Sequence, residues 1–234
     1  GLTAECAVTV RAASNNIWYV TQTGANKKDG TSWANASPDL KGILNIAQPT
    51  DQVWVAAGTY SPGNSGADTF LLKAGVKVYG GFAGNETSLN QRVLSDSNKT
   101  TLDGGDINCH VVTGGAGATA DKTRLDGFTI TGGNANGSDL DDELGGGMVN
   151  NNASPAVANC TFTANTATTG GGMFNINASP KVENCVFTNN KANVGGGMYN
   201  QNASPAVANC TFTANTASSG GGMLNINASP KVEN

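Results

Sequence analysis

Apolar positions in the C-terminal part of the chain return at one fixed interval. Met148, Met173, Met198 and Met223, then Val157, Val182 and Val207, then Phe162, Phe187 and Phe212 all step by 25 residues. Polar punctuation keeps the same step. Gly-Gly-Gly-Met begins at Gly145, Gly170, Gly195 and Gly220, Ser-Pro at Ser154, Ser179, Ser204 and Ser229, and Asn-Cys at Asn159, Asn184 and Asn209. Residues 145–169 and 170–194 differ at 9 of 25 positions, whereas 145–184 and 195–234 differ at only 5 of 40, so the duplicated unit is two turns. Self-similarity at such a period marks a solenoid, in which each turn buries its apolar face only against its neighbours.

Within one turn, residues 155–157 and 160–163 both have strand composition, yet Val157 and Cys160 are an odd number apart. Both point inward only if the chain bends between them. Asn159 sits at that bend, and asparagine tolerates the left-handed backbone a corner requires. Further corners are expected at residues 165–172, where glycine permits tight geometry, and at residues 152–155. Three short strands and three bends make a coil, and coils stacked at about 4.8 Å align equivalent side chains into ladders. The expected ladders are the three apolar series above, together with Cys160, Cys185 and Cys210 as small buried hydrophobes and Asn159, Asn184 and Asn209 as corner stacks. The predicted fold is all-β, a right-handed parallel β-helix of 25-residue coils.

Upstream the pattern loosens but persists in residues 52–55, 76–82 and 125–133. Before these, Ser37-Pro38-Asp39 reads as an N-cap, a proline at the first helical position and an acid in the first turn. Leu40, Ile43, Leu44 and Ala47 follow at i, i+3, i+4 and i+7. One short amphipathic helix over about 38–47 is predicted, with its apolar face covering the open end of the first coil. The organisation expected is a cap with irregular coils over 1–144, then regular coils over 145–234. Residue 234 falls inside a repeat, so either further coils or stacked copies are expected beyond it.

Composition narrows the function. Charged residues are 13% of the chain and the net charge is -4, so no basic stripe exists to neutralise phosphates, and a nucleic-acid partner is not expected. No stretch approaches the about 20 apolar residues of a membrane span. The Gly, Asn, Thr, Ser and Ala bias suits turns and hydrogen-bonded ladders outside the cell. Five cysteines are an odd number; three belong to the repeat, which leaves Cys6 and Cys109 as the candidate disulfide.

Several runs together resemble the pectate-lyase-like right-handed β-helix superfamily, and within it bacterial surface repeat proteins of the polymorphic outer-membrane protein type. They are Trp33 with the helix that leads to Val53-Trp54-Val55-Ala56-Ala57-Gly58-Thr59-Tyr60, then Tyr79-Gly80-Gly81-Phe82-Ala83-Gly84-Asn85-Glu86-Thr87, then Leu125-Asp126-Gly127-Phe128-Thr129-Ile130-Thr131-Gly132-Gly133, and the glycine-rich and Asn-Cys-Thr-Phe-Thr-Ala-Asn repeats. The resemblance spans nearly the whole chain. It implies a secreted or cell-surface protein used in adhesion or envelope architecture, and it supplies no reaction, because such folds carry lyases, hydrolases and inert stalks alike.

Candidate chemistry is sparse. An enzyme on this fold needs carboxylates gathered on one face. Glu183 and Glu233 are isolated in the repeats, and the one dense acidic run is Asp139, Asp141, Asp142 and Glu143, a weak Ca²⁺ loop or a solvated insertion. Asp103 and Asp106 read as turn residues or as a catalytic pair. His110 beside Cys109 reads as a strand-end histidine next to a buried thiol or disulfide, more than as a nucleophile pair. The glycine triplets lack the Lys-Ser or Lys-Thr of a phosphate loop and are corners. Thr161-Phe162-Thr163 and Thr211-Phe212-Thr213 set threonines outward as ice-binding solenoids do, with Val186 interrupting one column. Phe174, Ile176, Leu224 and Ile226 form a second outward stripe, suited to lateral contact where it faces solvent and otherwise lying under a neighbouring loop.

The expected function is an extracellular or bacterial cell-surface β-helical rod, for adhesion, envelope architecture or filament assembly, with no catalytic residue and no cofactor. Its expected partners are other copies or further repeats of itself, or a surface glycan. The alternatives are a polysaccharide lyase, hydrolase or carbohydrate binder using the irregular coils, and then an ice-binding solenoid.

Overall fold

A computed structural model describes residues 15–137 and 143–233. The chain winds as a parallel β-helix, right-handed as parallel crossover connections are. A regular coil runs through four strands: face 1 (Met148–Asn151), face 2 (Ser154–Ala158), face 3 (Thr161–Thr163) and face 4 (Thr166–Thr169). Every strand pairs in parallel with its counterpart one coil away, so Met148 faces Met173, Val157 faces Val182 and Phe162 faces Phe187. Among the described residues, faces 1 and 3 are six-stranded, face 2 eight-stranded and face 4 three-stranded.

Face 4 corrects the expectation of a triangular coil. Residues 166–169 were expected within a corner, but Thr166 pairs with Lys191 and Asn134. The true corner is Gly170 with its equivalents Gly195 and Gly220, at φ 70, 65 and 65. A single left-handed residue forms each of the others. Asn152, Asn177, Asn202 and Asn227 join faces 1 and 2, and Asn159, Asn184 and Asn209 join faces 2 and 3. Ala164, Asn189 and Ala214 join faces 3 and 4. One such residue turns the chain and resets which side of the strand faces inward, which is how Val157 and Cys160 both reach the core.

The interior is columnar. Met148, Met173, Met198, Val157, Val182, Val207, Cys160, Cys185, Phe162 and Phe187 are buried, while Cys210, Phe212 and Met223 in the last coils pack against them half-buried. Successive Phe162, Phe187 and Phe212 rings stack at 4.7 Å with 3° between planes, so the coils translate with almost no rotation. A Cβ on Gly172 would stand 2.5 Å from the Gly197 carbonyl and 2.9 Å from the Phe187 ring, which is why that corner admits only glycine.

The asparagine ladder is not the expected one. The side chain of Asn159 donates outward to Asp126, and the 159, 184 and 209 corner stacks through its backbone N–H groups instead. The amide columns are Asn150, Asn175 and Asn200, buried on face 1 and followed by the exposed Asn225, each donating to the next at 2.8–2.9 Å, and the buried Asn165 and Asn190 with the half-buried Asn215 before face 4. Asn190 also accepts from the Asn165 backbone and donates to the Phe162 carbonyl, so side chains close backbone groups that the corner leaves open.

The predicted helix begins two residues late, at Leu40–Ile46, because Asp39 and not Ser37 is its N-cap and accepts from the Gly42 N–H. Ser37 instead accepts from the Asp39 backbone, which extends the chain into the cap. Leu40, Ile43, Leu44 and Ala47 are buried in the same core as Phe70, Leu72 and Val78, where they cover the first coils.

Candidate functional site

The residues singled out for chemistry do not converge. Asp139, Asp141 and Asp142 lie outside the described residues, as does Cys6, and Glu143 is half-buried at the entry to the regular coils. Among the described residues, no three of His, Cys, Asp and Glu gather closely enough to hold a metal ion. Asp103 accepts from the Gly105 N–H at 2.8 Å and so shapes its own turn, while Asp106 is exposed in a left-handed conformation. Cys109 packs with Ala135 and Ala167, continuing the interior of face 4, and the His110 ring lies 3.3 Å from the Gly145 carbonyl. The thiols of Cys160, Cys185 and Cys210 stack one coil apart, each also directed at main-chain carbonyls. Hydrogen bonding with its two neighbours, followed by burial, pushes the Cys185 thiol well above the usual range and makes it inert packing, whereas the hydrogen bond with Cys185 lowers the half-buried Cys210 thiol at the end of the column to about 7.

The outward surfaces of the three main faces have different chemistry. On face 1 the column is Val149, Phe174, Tyr199 and Leu224. The apolar stripe is not open: Phe174 is 2% exposed and stacks on Tyr199 at 5.4 Å, and Ile226, in the neighbouring column, is exposed at 41%. Face 2 carries Lys77, Arg124 and Lys181 in one column and Tyr79, Asp126 and Glu183 in the next. Face 3 carries hydroxyls. Its first column is Thr59, Thr101, Thr129, Thr161, Val186 and Thr211, and its second is Asp103, Thr131, Thr163, Thr188 and Thr213.

One corner between faces 2 and 3 is built differently from the rest. Where later coils use a single asparagine, the chain leaves Phe82 and returns at Thr100 through a long loop with two 3₁₀ turns. Two anchors fix this loop. The buried Glu86 carboxylate accepts from the N–H groups of Ala83, Gly84 and Asn85, and its main-chain carbonyl accepts from the Trp33 indole at 2.8 Å. Burial raises the Glu86 carboxyl, but those N–H groups outweigh it and hold it below the usual range. The second anchor is Arg92, which donates at 2.7 Å to Asp126 and at 3.1 Å to the Gly80 carbonyl. Arg124 pairs with the other Asp126 oxygen at 2.7 Å, and Asn159 donates to the first at 3.0 Å. Burial pushes the Asp126 carboxyl up; the Asn159 hydrogen bond and the charges of Arg92 and Arg124 prevail and keep it low.

Held in this way, the loop forms a ledge beside face 3. Between them lies a groove of about 610 Å³. Its floor is Thr129, Thr161 and Thr163, and the ledge contributes Leu94, Asp96, Asn98 and Lys99. The threonines of the repeats are legible in the sequence but the ledge is not, since its position depends on a contact between Arg92 and Asp126, 34 residues apart.

No protein-family model and no curated protein sequence matches the chain. Among solved structures, it is similar to the crystal structure of the pectate lyase Pel9A, with a TM-score of 0.55 and 15% sequence identity. The similarity covers 85% of this chain and 48% of that one, so the chain spans about half the length of its structural neighbour. At this identity the likeness shows the parallel β-helix and nothing of the chemistry.

Proposed function

We propose that the chain is a structural module, a stiff β-helical rod displayed outside the cell, at a bacterial surface, where it spaces or joins other components. The observation that carries this reading is the coil-on-coil register, which repeats apolar, amide and outward positions alike from Met148 to Met223. A surface that repeats every coil suits contacts multiplied along an axis, whereas catalysis needs one unrepeated constellation. The partners proposed for such a rod are other copies of it, whose repeated faces present the same register. No helix among the described residues is long and apolar enough to cross a membrane.

Small-angle scattering and electron microscopy over a concentration series test this. Elongated particles that lengthen with concentration are expected. A monodisperse monomer at every concentration would remove self-assembly from the proposal.

The likeness to a pectate lyase favours one second reading, a polysaccharide lyase. Incubation with polygalacturonate and Ca²⁺ separates the two. The rod reading expects no ultraviolet-absorbing unsaturated product, and its formation would establish the lyase.

A further inference from the structure

Threonine suits any half-exposed strand, so strand propensity alone would scatter it over all faces. It is not scattered. Outward pairs on face 2 are Lys77 with Tyr79, Arg124 with Asp126, and Lys181 with Glu183, and on face 1 the column from Val149 to Leu224 is apolar or aromatic. The longest hydroxyl columns are those of face 3, interrupted by Val186 in one and begun by Asp103 in the other. Thr59, Thr101, Thr129 and Thr131 lie in coils outside the 25-residue duplication, so copying of one repeat does not account for them.

We propose that the groove between the ledge and face 3 binds a neutral, hydroxyl-rich glycan chain lying along the stack. Sugar hydroxyls both donate and accept, and so do the floor threonines and the Asn98 amide. Leu94, 47% exposed, and the threonine methyls offer apolar contact to the C–H faces of sugar rings. Asp96 and Lys99 balance each other, so the lining has no net charge to select a uronic acid polymer or a phosphate. A volume of 610 Å³ falls within the about 300–1,000 Å³ of small-ligand clefts. Arg92 and Glu86 hold the ledge in place before any ligand arrives, so binding does not have to order it.

The same ledge decides against a flat solid such as ice. A crystal plane needs an unbroken floor, whereas this one is walled beside Thr161 and interrupted at Val186. An extended chain tolerates both. The proposal is independent of the rod reading, since a groove on one corner functions equally in a monomer.

The test is affinity electrophoresis of the full chain in gels containing β-glucan, galactomannan or dextran, with polygalacturonate and alginate as acidic comparators. Retardation by at least one neutral polymer is expected. It should be lost in Thr161→Val with Thr163→Val and in Lys99→Ala, and kept in Thr188→Val with Thr213→Val, which removes two hydroxyls from the Thr163 column beyond the ledge. Valine already occupies position 186, so these variants should keep the fold, with circular dichroism and melting as the check. Failure of all three neutral polymers to retard the chain overturns the proposal, as does preference for the acidic ones or equal loss in both double variants. Faceting of ice crystals without glycan retardation assigns face 3 to ice and overturns it too.

Discussion

Inside the coils from Gly145 onward, the buried polar groups are amides in columns, whereas the earlier coils depend on single charges such as Asp126 and Glu86. The difference follows from what each group can stack upon. An amide donates with one atom and accepts with the other, so Asn150 can be followed by Asn175, Asn200 and Asn225 without limit. A carboxylate only accepts and repels its own kind, so a charge network closes after one coil. In the regular coils the outer surface obeys the same restriction: Lys181 and Glu183 neighbour Ala156 and Ala158 on one side and Ala206 and Ala208 on the other. Like charges stacked one coil apart would be destabilising, and alternation avoids this. Repetition therefore extends the rod, and the unrepeated charges are what build a ledge and a groove.

Breaking an amide column should have the largest effect. Asn190→Ala removes two bonds accepted from Asn165 and two donated, to Phe162 and Asn215, and takes these side-chain partners from the Asn165 N–H and the Phe162 carbonyl in a buried site. At about 1–3 kcal/mol for each unsatisfied group, a loss of about 4 kcal/mol is expected in denaturant unfolding. Hydrogen exchange should speed up in the coils on both sides. A loss below about 1 kcal/mol would mean that the column does not hold the coils together.

Asp126→Ala should cost about 3 kcal/mol, since it strands two arginines that are now paired, but its damage should stay local. Proteolysis within residues 83–99 should rise while exchange in residues 145–233 is unchanged. Acid should act on the same region. The carboxyls of Asp126 and Glu86 are depressed in the folded chain, so their stabilisation is complete above the unfolded value of about 4 and is lost as pH falls through the lowered folded values. The amide columns do not titrate. Simultaneous acid loosening of both regions would erase the distinction between them.

Much of this division was legible in the chain, and the rest was hidden for identifiable reasons. The 25-residue step fixed the coil, and the odd spacing of Val157 and Cys160 located the left-handed Asn159. The ladder was assigned to the wrong asparagine because each turn has several, although the parity of Met148 and Asn150 on one strand points Asn150 inward. Asn165 escapes that rule, since the left-handed Ala164 before it resets the parity. Face 4 reads as part of a corner in the sequence, because a four-residue strand beside three glycines leaves little local signal. The columns of face 3 were visible only where repeats align; Thr59 and Thr101 join them through coils of unequal length. The groove needed the ledge, and no local pattern places Arg92 on Asp126.

The smallest expected effect is a gain, and it tests whether the regular coils have reached their best sequence. Ala164 and Ala214 occupy the corner between faces 3 and 4 at φ 53 and 55, and the intervening coil has Asn189 there at φ 55. An alanine Cβ approaches the following carbonyl in this conformation at a cost of about 1–2 kcal/mol, which asparagine partly relieves by local hydrogen bonding. The site is exposed at Ala164, so a larger side chain displaces nothing. Ala164→Asn should therefore raise stability by about 1 kcal/mol, a melting shift of about 2–4 °C for a chain of this size. Asn189→Ala should lower it by a similar amount, without the wide loss expected from Asn190→Ala one residue further on. If the two exchanges at this corner fail to mirror each other, the corner is set by the stacked backbone and not by the residue that occupies it.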